Sequence, residues 1–185
     1  MSFFPAAFRI EPGADQVIRL AVEKSSGDPK ECWDIVFVQD LPQKRALTRS
    51  GLQYVFRTGV KVYVGPGNLT RDAAVTGMSL ENVVASARAA TKRDTLPQPR
   101  QRLVIEFRNR GQVHLRASGR VEVRRLDNSV AAEIVVHEFP TLRGALRKLV
   151  LDVPPSIAPG RYIALALIDF HGAEIAAGQL ELDLK

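Results

Sequence analysis

The chain has 185 residues and a formal net charge of +6, and its 45% hydrophobic and 25% charged residues exclude a disordered, tail-like polypeptide. A single cysteine, Cys32, excludes an internal disulfide and any multi-cysteine metal site. The longest apolar runs, such as Tyr162 to Ile168, fall well short of the about 20 residues that a membrane-spanning helix needs.

Phe8-Arg9-Ile10 and the segment Asp15 to Val22 predict two short strands around a tight turn at Glu11-Pro12-Gly13. Cys32 to Val38, apolar at nearly every position, predicts a third strand that stops at Asp40-Leu41-Pro42. From Gly51 to Gly67 a long strand is expected, with Leu52, Tyr54, Phe56, Val60, Val62 and Val64 at even spacing and Gln53, Val55, Arg57 and Lys61 opposite them. It ends at Gly65-Pro66-Gly67. Alternate apolar side chains on a long strand suit a partner that adds its own strand alongside, and equally suit an ordinary half-buried sandwich strand.

Composition shifts after Gly67, which places a domain boundary there, with residues 1–67 and 68–185 on either side. Thr70 to Ala90 reads as one strand followed by a short helix or loop, and residues 86–101 as a surface insertion. Beyond it come Leu103–Phe107, Val113–Leu115, Arg120–Arg124, Ala131–His137, Leu146–Val153, Tyr162–Ile168 and Ile175–Leu184. Turn signals stand at Asn109-Arg110-Gly111, Ser118-Gly119, Asp127-Asn128 and His171-Gly172. Short strands at regular spacing predict an antiparallel β-sandwich. Tyr162, just after Pro159-Gly160-Arg161, is placed to bond its hydroxyl back to the upstream turn.

Chemistry-bearing patterns are absent from this reading. His114, His137 and His171 have no second ligand at metal spacing, so no metal is expected. No nucleophile context accompanies Asp169 and His171, and no Gly-Lys-Ser/Thr follows Gly65-Pro66-Gly67, so neither an enzyme nor a cofactor is expected. Asn68-Leu69-Thr70 fits the short and frequent glycosylation sequon. The basic residues are scattered without a nucleic-acid-binding motif, which predicts a solvated basic surface rather than a nucleic-acid partner.

Four motifs in order, Pro5-Ala6-Ala7-Phe8-Arg9-Ile10-Glu11-Pro12-Gly13, Gln16-Val17-Ile18-Arg19, Phe37-Val38-Gln39-Asp40-Leu41-Pro42 and Leu52-x-Tyr54-x-Phe56-x-Thr58-Gly59-Val60-Lys61-Val62-Tyr63, carry a resemblance. Together they resemble the later part of the N-terminal domain of periplasmic pilus-assembly chaperones. That resemblance implies an all-β fold of two immunoglobulin-like antiparallel β-sandwich domains, the first incomplete. It implies a non-enzymatic, periplasmic protein that binds extended strands of pilus or surface-appendage subunits by β-strand addition. Leu52, Tyr54, Phe56 and Val60 would then form the subunit-binding strand, and Lys61 would anchor the subunit's terminal carboxylate.

The sequence departs from the family at two places. Gly65 stands where a basic residue is expected before Pro66, and the family's first three strands, with the arginine that partners the lysine, would precede Met1. The first residues have no basic region and no long apolar core, so they do not read as a signal peptide. A late start, strand exchange in a homodimer, or a bound client would each cover the apolar face that the missing strands leave. The alternative reading is a structural immunoglobulin-like spacer or surface-assembly module without chaperone activity.

Overall fold

The computed structural model describes residues 1–23, 30–41, 54–83 and 100–185. The chain divides into two compact units, Met1–Gly67 and Asn68–Lys185. All described regular structure is β.

The first unit contains two separate ladders. β1 (Ser2–Phe4) pairs antiparallel with β2 (Arg19–Ala21), and β3 (Cys32–Gln39) pairs antiparallel with β4 (Arg57–Val64). The strand expected at Phe8–Ile10 is instead Ser2–Phe4, which stops at Pro5, a residue with no N–H to continue a ladder. The turn at Glu11-Pro12-Gly13 is present: Ala14 N donates to Glu11 O at 3.0 Å, and Gly13 has a φ of 79°. The long strand is also shorter than the alternation suggests. β3 ends at Gln39, so only Phe56 finds a further partner, its carbonyl accepting from Asp40 N at 3.0 Å, and Tyr54 and Val55 have no β3 backbone opposite them. Strand character needs a partner as well as a pattern.

The second unit is a sandwich of three strands on four. One sheet has the order β5-β6-β9, from β5 (Ala73–Val83), β6 (Arg100–Asn109) and β9 (Leu146–Asp152). The other has the order β11-β10-β7-β8, from β7 (Leu115–Arg124), β8 (Val130–Thr141), β10 (Gly160–Asp169) and β11 (Ala176–Leu184). Every pairing is antiparallel. This is the immunoglobulin-like layer arrangement that the strand spacing implied. Within the stretch read as an insertion, Arg100 and Gln101 already belong to β6; the rest of it lies outside the described residues.

Its core follows from alternation. Leu103, Ile105 and Phe107 of β6 face Val121 and Val123 of β7 and Ala164, Ala166 and Ile168 of β10, all fully shielded from solvent. Phe107 meets Phe139 of the opposite sheet edge to face, with ring centroids 5.2 Å apart and planes at 89°. Burial of each large side chain here contributes about 1.5–3 kcal/mol before ordering costs.

Ser118-Gly119 is not a turn. It lies inside β7, where the register shifts between Ala117 and Gly119. Glycine is required there because the β10 backbone runs against it: a β-carbon on Gly119 would stand 2.1 Å from Leu167 O. The remaining turns hold, with Asn128 at a φ of 69° between Arg125 and Ser129, and Tyr162 Oη donating to Ala158 O at 2.9 Å.

Candidate functional site

The residues expected to carry function gather on β4 and the segment before it. Leu52 lies outside the described residues. Tyr54 and Phe56 precede β4 and are 75% and 71% exposed, and Val60, within β4, is 50% exposed. Lys61 sits next to Val60 in the same strand, also exposed, opposite Ile35 of β3.

The register divides the β3–β4 ribbon into two faces, because directly opposed residues share a side and successive ones alternate. One face carries Cys32, Asp34, Val36 and Val38 opposite Val64, Val62, Val60 and Thr58. The other carries Trp33, Ile35, Phe37 and Gln39 opposite Tyr63, Lys61, Gly59 and Arg57. Val60 and Lys61 therefore point to opposite sides of the ribbon. The first face is aliphatic and the second mixes aromatic rings with two cations.

On that second face the Arg57 guanidinium lies 3.9 Å from the centre of the Phe37 ring, a cation–π contact. The ring also covers Gly59, where a β-carbon would come within 3.0 Å of Phe37 Cε1. Reading the sequence as separate strands does not reveal this trio, since the contact depends on pairing β3 with β4 in one register. The only available signal is a lone glycine within an otherwise β-branched and aromatic strand.

No described residue of the first unit is buried, and Trp33 and Phe37 are 54% and 51% exposed. The described strands thus offer exposed apolar side chains on two-stranded ladders, and strand addition uses alternate side chains beside a backbone edge.

The second unit offers polar structure of a different kind. Asn109 is fully buried and fully engaged: its Nδ2 donates to Val113 O at 2.8 Å and Thr141 O at 3.1 Å, and its Oδ1 accepts from Gly111 N at 2.9 Å. On the outer face of the four-stranded sheet Glu122 is held between Arg124 and Arg120, whose Nε atoms donate at 2.9 and 2.8 Å. The hydrogen bond from Arg124, then that from Arg120, holds the Glu122 carboxyl below the usual carboxylate range. Asn109 and Glu122 each find their partners within the unit.

A depression of about 400 Å³ beside the β7 irregularity is lined by Gly119, Arg120, Glu133, Val135 and His137 among others, with no nucleophile aligned to a base. His171 Nδ1 stands 3.7 Å from Asp169 Oδ2 in the β10–β11 turn, and Arg71 donates to the His171 carbonyl, so this pair belongs to turn structure. Among the described residues no three His, Cys, Asp or Glu side chains converge as a metal site. Among the described residues no helix is long and apolar enough to cross a membrane.

Residues 1–70 match the family described as pili and flagellar-assembly chaperone, PapD N-terminal domain. The first unit is thus similar to the N-terminal domain of those chaperones over 70 of the chain's 185 residues. The match covers the whole β3–β4 ribbon and the residues expected to carry binding, and it ends just beyond the boundary between the units. No curated protein matches the chain. A solved structure of a β-glucosidase involved in saponin metabolism from intestinal bacteria is similar at a TM-score of 0.35 and 9% identity, over 64% of this chain and 17% of that one. At that level the likeness bears on neither fold nor activity. The chaperone match is what links the ribbon to a role.

Proposed function

We propose that the first unit binds subunits of a pilus or related surface appendage by lending them a strand, and that the protein is a non-enzymatic assembly chaperone acting in the periplasm. The observation that carries this reading is the coincidence of the chaperone family match with the exposed Tyr54, Phe56 and Val60 on and before β4. A client strand would add its backbone to the ribbon while these side chains enter its groove. Fully burying one such side chain contributes about 1.5–3 kcal/mol, before the cost of ordering the partners. Lys61 supplies a cation for a subunit's terminal carboxylate; as an ammonium it acts as a point charge without the directional fork of an arginine.

The test is co-expression with an incomplete pilus subunit, followed by affinity capture from a periplasmic fraction. The Tyr54→Asp, Phe56→Asp double variant is expected to lose capture while the second unit keeps its unfolding transition. Capture at the parental level would sink the reading.

A structural, spacer-like role is the second reading, and the closed sandwich of the second unit favours it. There the apolar side chains are spent on the unit's own core, and the polar clusters around Asn109 and Glu122 are satisfied internally. A stable protein that captures no subunit, and whose Tyr54 and Phe56 resist modification or proteolysis in the native state, would select that role.

A further inference from the structure

In the β3–β4 ribbon the usual determinants of strand register are weak. Register is strongly set where one face is buried and the other is wet, because a slip of one residue exchanges the faces. Here neither face is buried among the described residues, and both carry apolar side chains among polar ones: Val36, Val38 and Val60 with Asp34 and Thr58 on one side, Trp33, Ile35 and Phe37 with Arg57 and Lys61 on the other. A one-residue slip would therefore exchange one partly apolar face for another. Nor is the ribbon closed by a two-residue turn that would dictate pairing, because residues 40–56 separate the strands.

One rung does distinguish the observed register from its neighbours. Gly59 is the position in β4 without a side chain, and it stands opposite Phe37. The ring lies across it, with Phe37 Cε1 and Ile35 Cγ2 at 3.0 and 3.2 Å from where a β-carbon would be. Arg57 then stacks on the same ring from two residues upstream. A slip of one residue would put Phe37 opposite Thr58 or Val60, and a slip of two opposite Arg57 or Lys61. In each case the ring would meet a side chain where it now meets a backbone. An aromatic ring laid over a cross-strand glycine is a recognised means of pinning register.

We propose that Phe37, Gly59 and Arg57 form a register lock, and that they act as positioning residues: they decide that Val60 stands opposite Val36 and Lys61 opposite Ile35, without themselves holding a client. The functional consequence rests on the strand-lending reading above, whereas the lock itself is a property of the free protein.

The experiment is NMR of the full chain, reading cross-strand backbone contacts between Ile35 and Lys61 and between Trp33 and Tyr63. Phe37→Leu and Gly59→Val are expected to reduce these contacts at least twofold, with new contacts one or two residues displaced. Phe37→Tyr, which keeps the ring, is expected to restore them, and Val38→Thr, on the other face, to leave them intact. Native contacts at full strength in Phe37→Leu overturn the lock, as does a loss that Phe37→Tyr fails to restore. If Gly59→Val abolishes the ladder outright, Phe37→Leu decides alone. Subunit capture is measured in parallel with the Tyr54→Asp, Phe56→Asp variant: a shifted register with parental capture upholds the lock and shows that capture does not need it, whereas parental capture by the double variant removes the strand-lending reading and leaves the lock standing. An unshifted register removes the lock and leaves that reading standing.

Discussion

Phe37 of β3 and Phe107 of β6 are the same side chain in the same kind of antiparallel strand, yet one is 51% exposed and the other 0%. Phe107 has a second sheet across from it and meets Phe139 there, whereas among the described residues Phe37 meets its ladder partner Gly59 and Arg57. The two units apply one pattern, alternating apolar residues on paired strands, and among the described residues the second alone sets a further sheet against it. A strand pattern makes an apolar face, and only a second face turns it into a core.

The largest effect that separates the units is truncation of these two rings. Phe107→Ala is expected to destabilise the second unit by about 3–5 kcal/mol, from lost burial and the cavity left behind. Phe37→Ala should move the same denaturant transition by less than about 0.5 kcal/mol, as for substitutions away from a packed core. Similar losses from both would mean that the first unit has a core after all.

Asn109→Ala comes next, because it removes a buried amide that bonds the Val113 and Thr141 carbonyls, while the Gly111 amide keeps its bond to Asp72 O; a loss of about 1–3 kcal/mol is expected in the same transition. Tyr162→Phe removes one hydrogen bond to Ala158 O and should cost about 1 kcal/mol. Retention of full stability in that variant would show the hydroxyl to be incidental to the corner.

The smallest effect is a dependence on pH. The folded-state pKa of Glu122 lies below its unfolded value, so its contribution to stability is present above the ordinary glutamate range and is lost as pH falls through the folded value. Stability of the second unit should therefore fall on acidification below about pH 4.5. Glu122→Gln should flatten that part of the profile, measured by denaturant midpoints from pH 3 to 6; an unchanged slope would assign the acid sensitivity elsewhere.

The strands of the second unit were legible because one face of each is wet. Leu182 and Leu184 are buried while Glu181 and Asp183 are exposed, as their alternation required, and Tyr162 makes the bond its place after Pro159-Gly160 suggested. Ser118-Gly119 misled for a physical reason: glycine serves close approach of two backbones as well as turns, and only the path of β10 separates those uses. Asn109 likewise read as a turn residue; its bonds to Gly111 and Val113 are local, as a turn requires, and its bond to Thr141 O depends on a segment far away in the chain. In the first unit the motifs pointed to the family whose model matches residues 1–70 and to the two strands that pair there. They overestimated the ribbon's length, because the alternation from Tyr54 to Val64 outlasts the β3 backbone that could pair with it.

Cys32, the chain's single cysteine, is exposed at the end of β3, opposite Val64. The unaltered protein therefore already carries one addressable thiol, on the aliphatic face of the ribbon and on no strand of the sandwich. A small fluorophore or spin label attached there reports on the first unit by itself, so occupancy of that face can be followed without introducing a substitution.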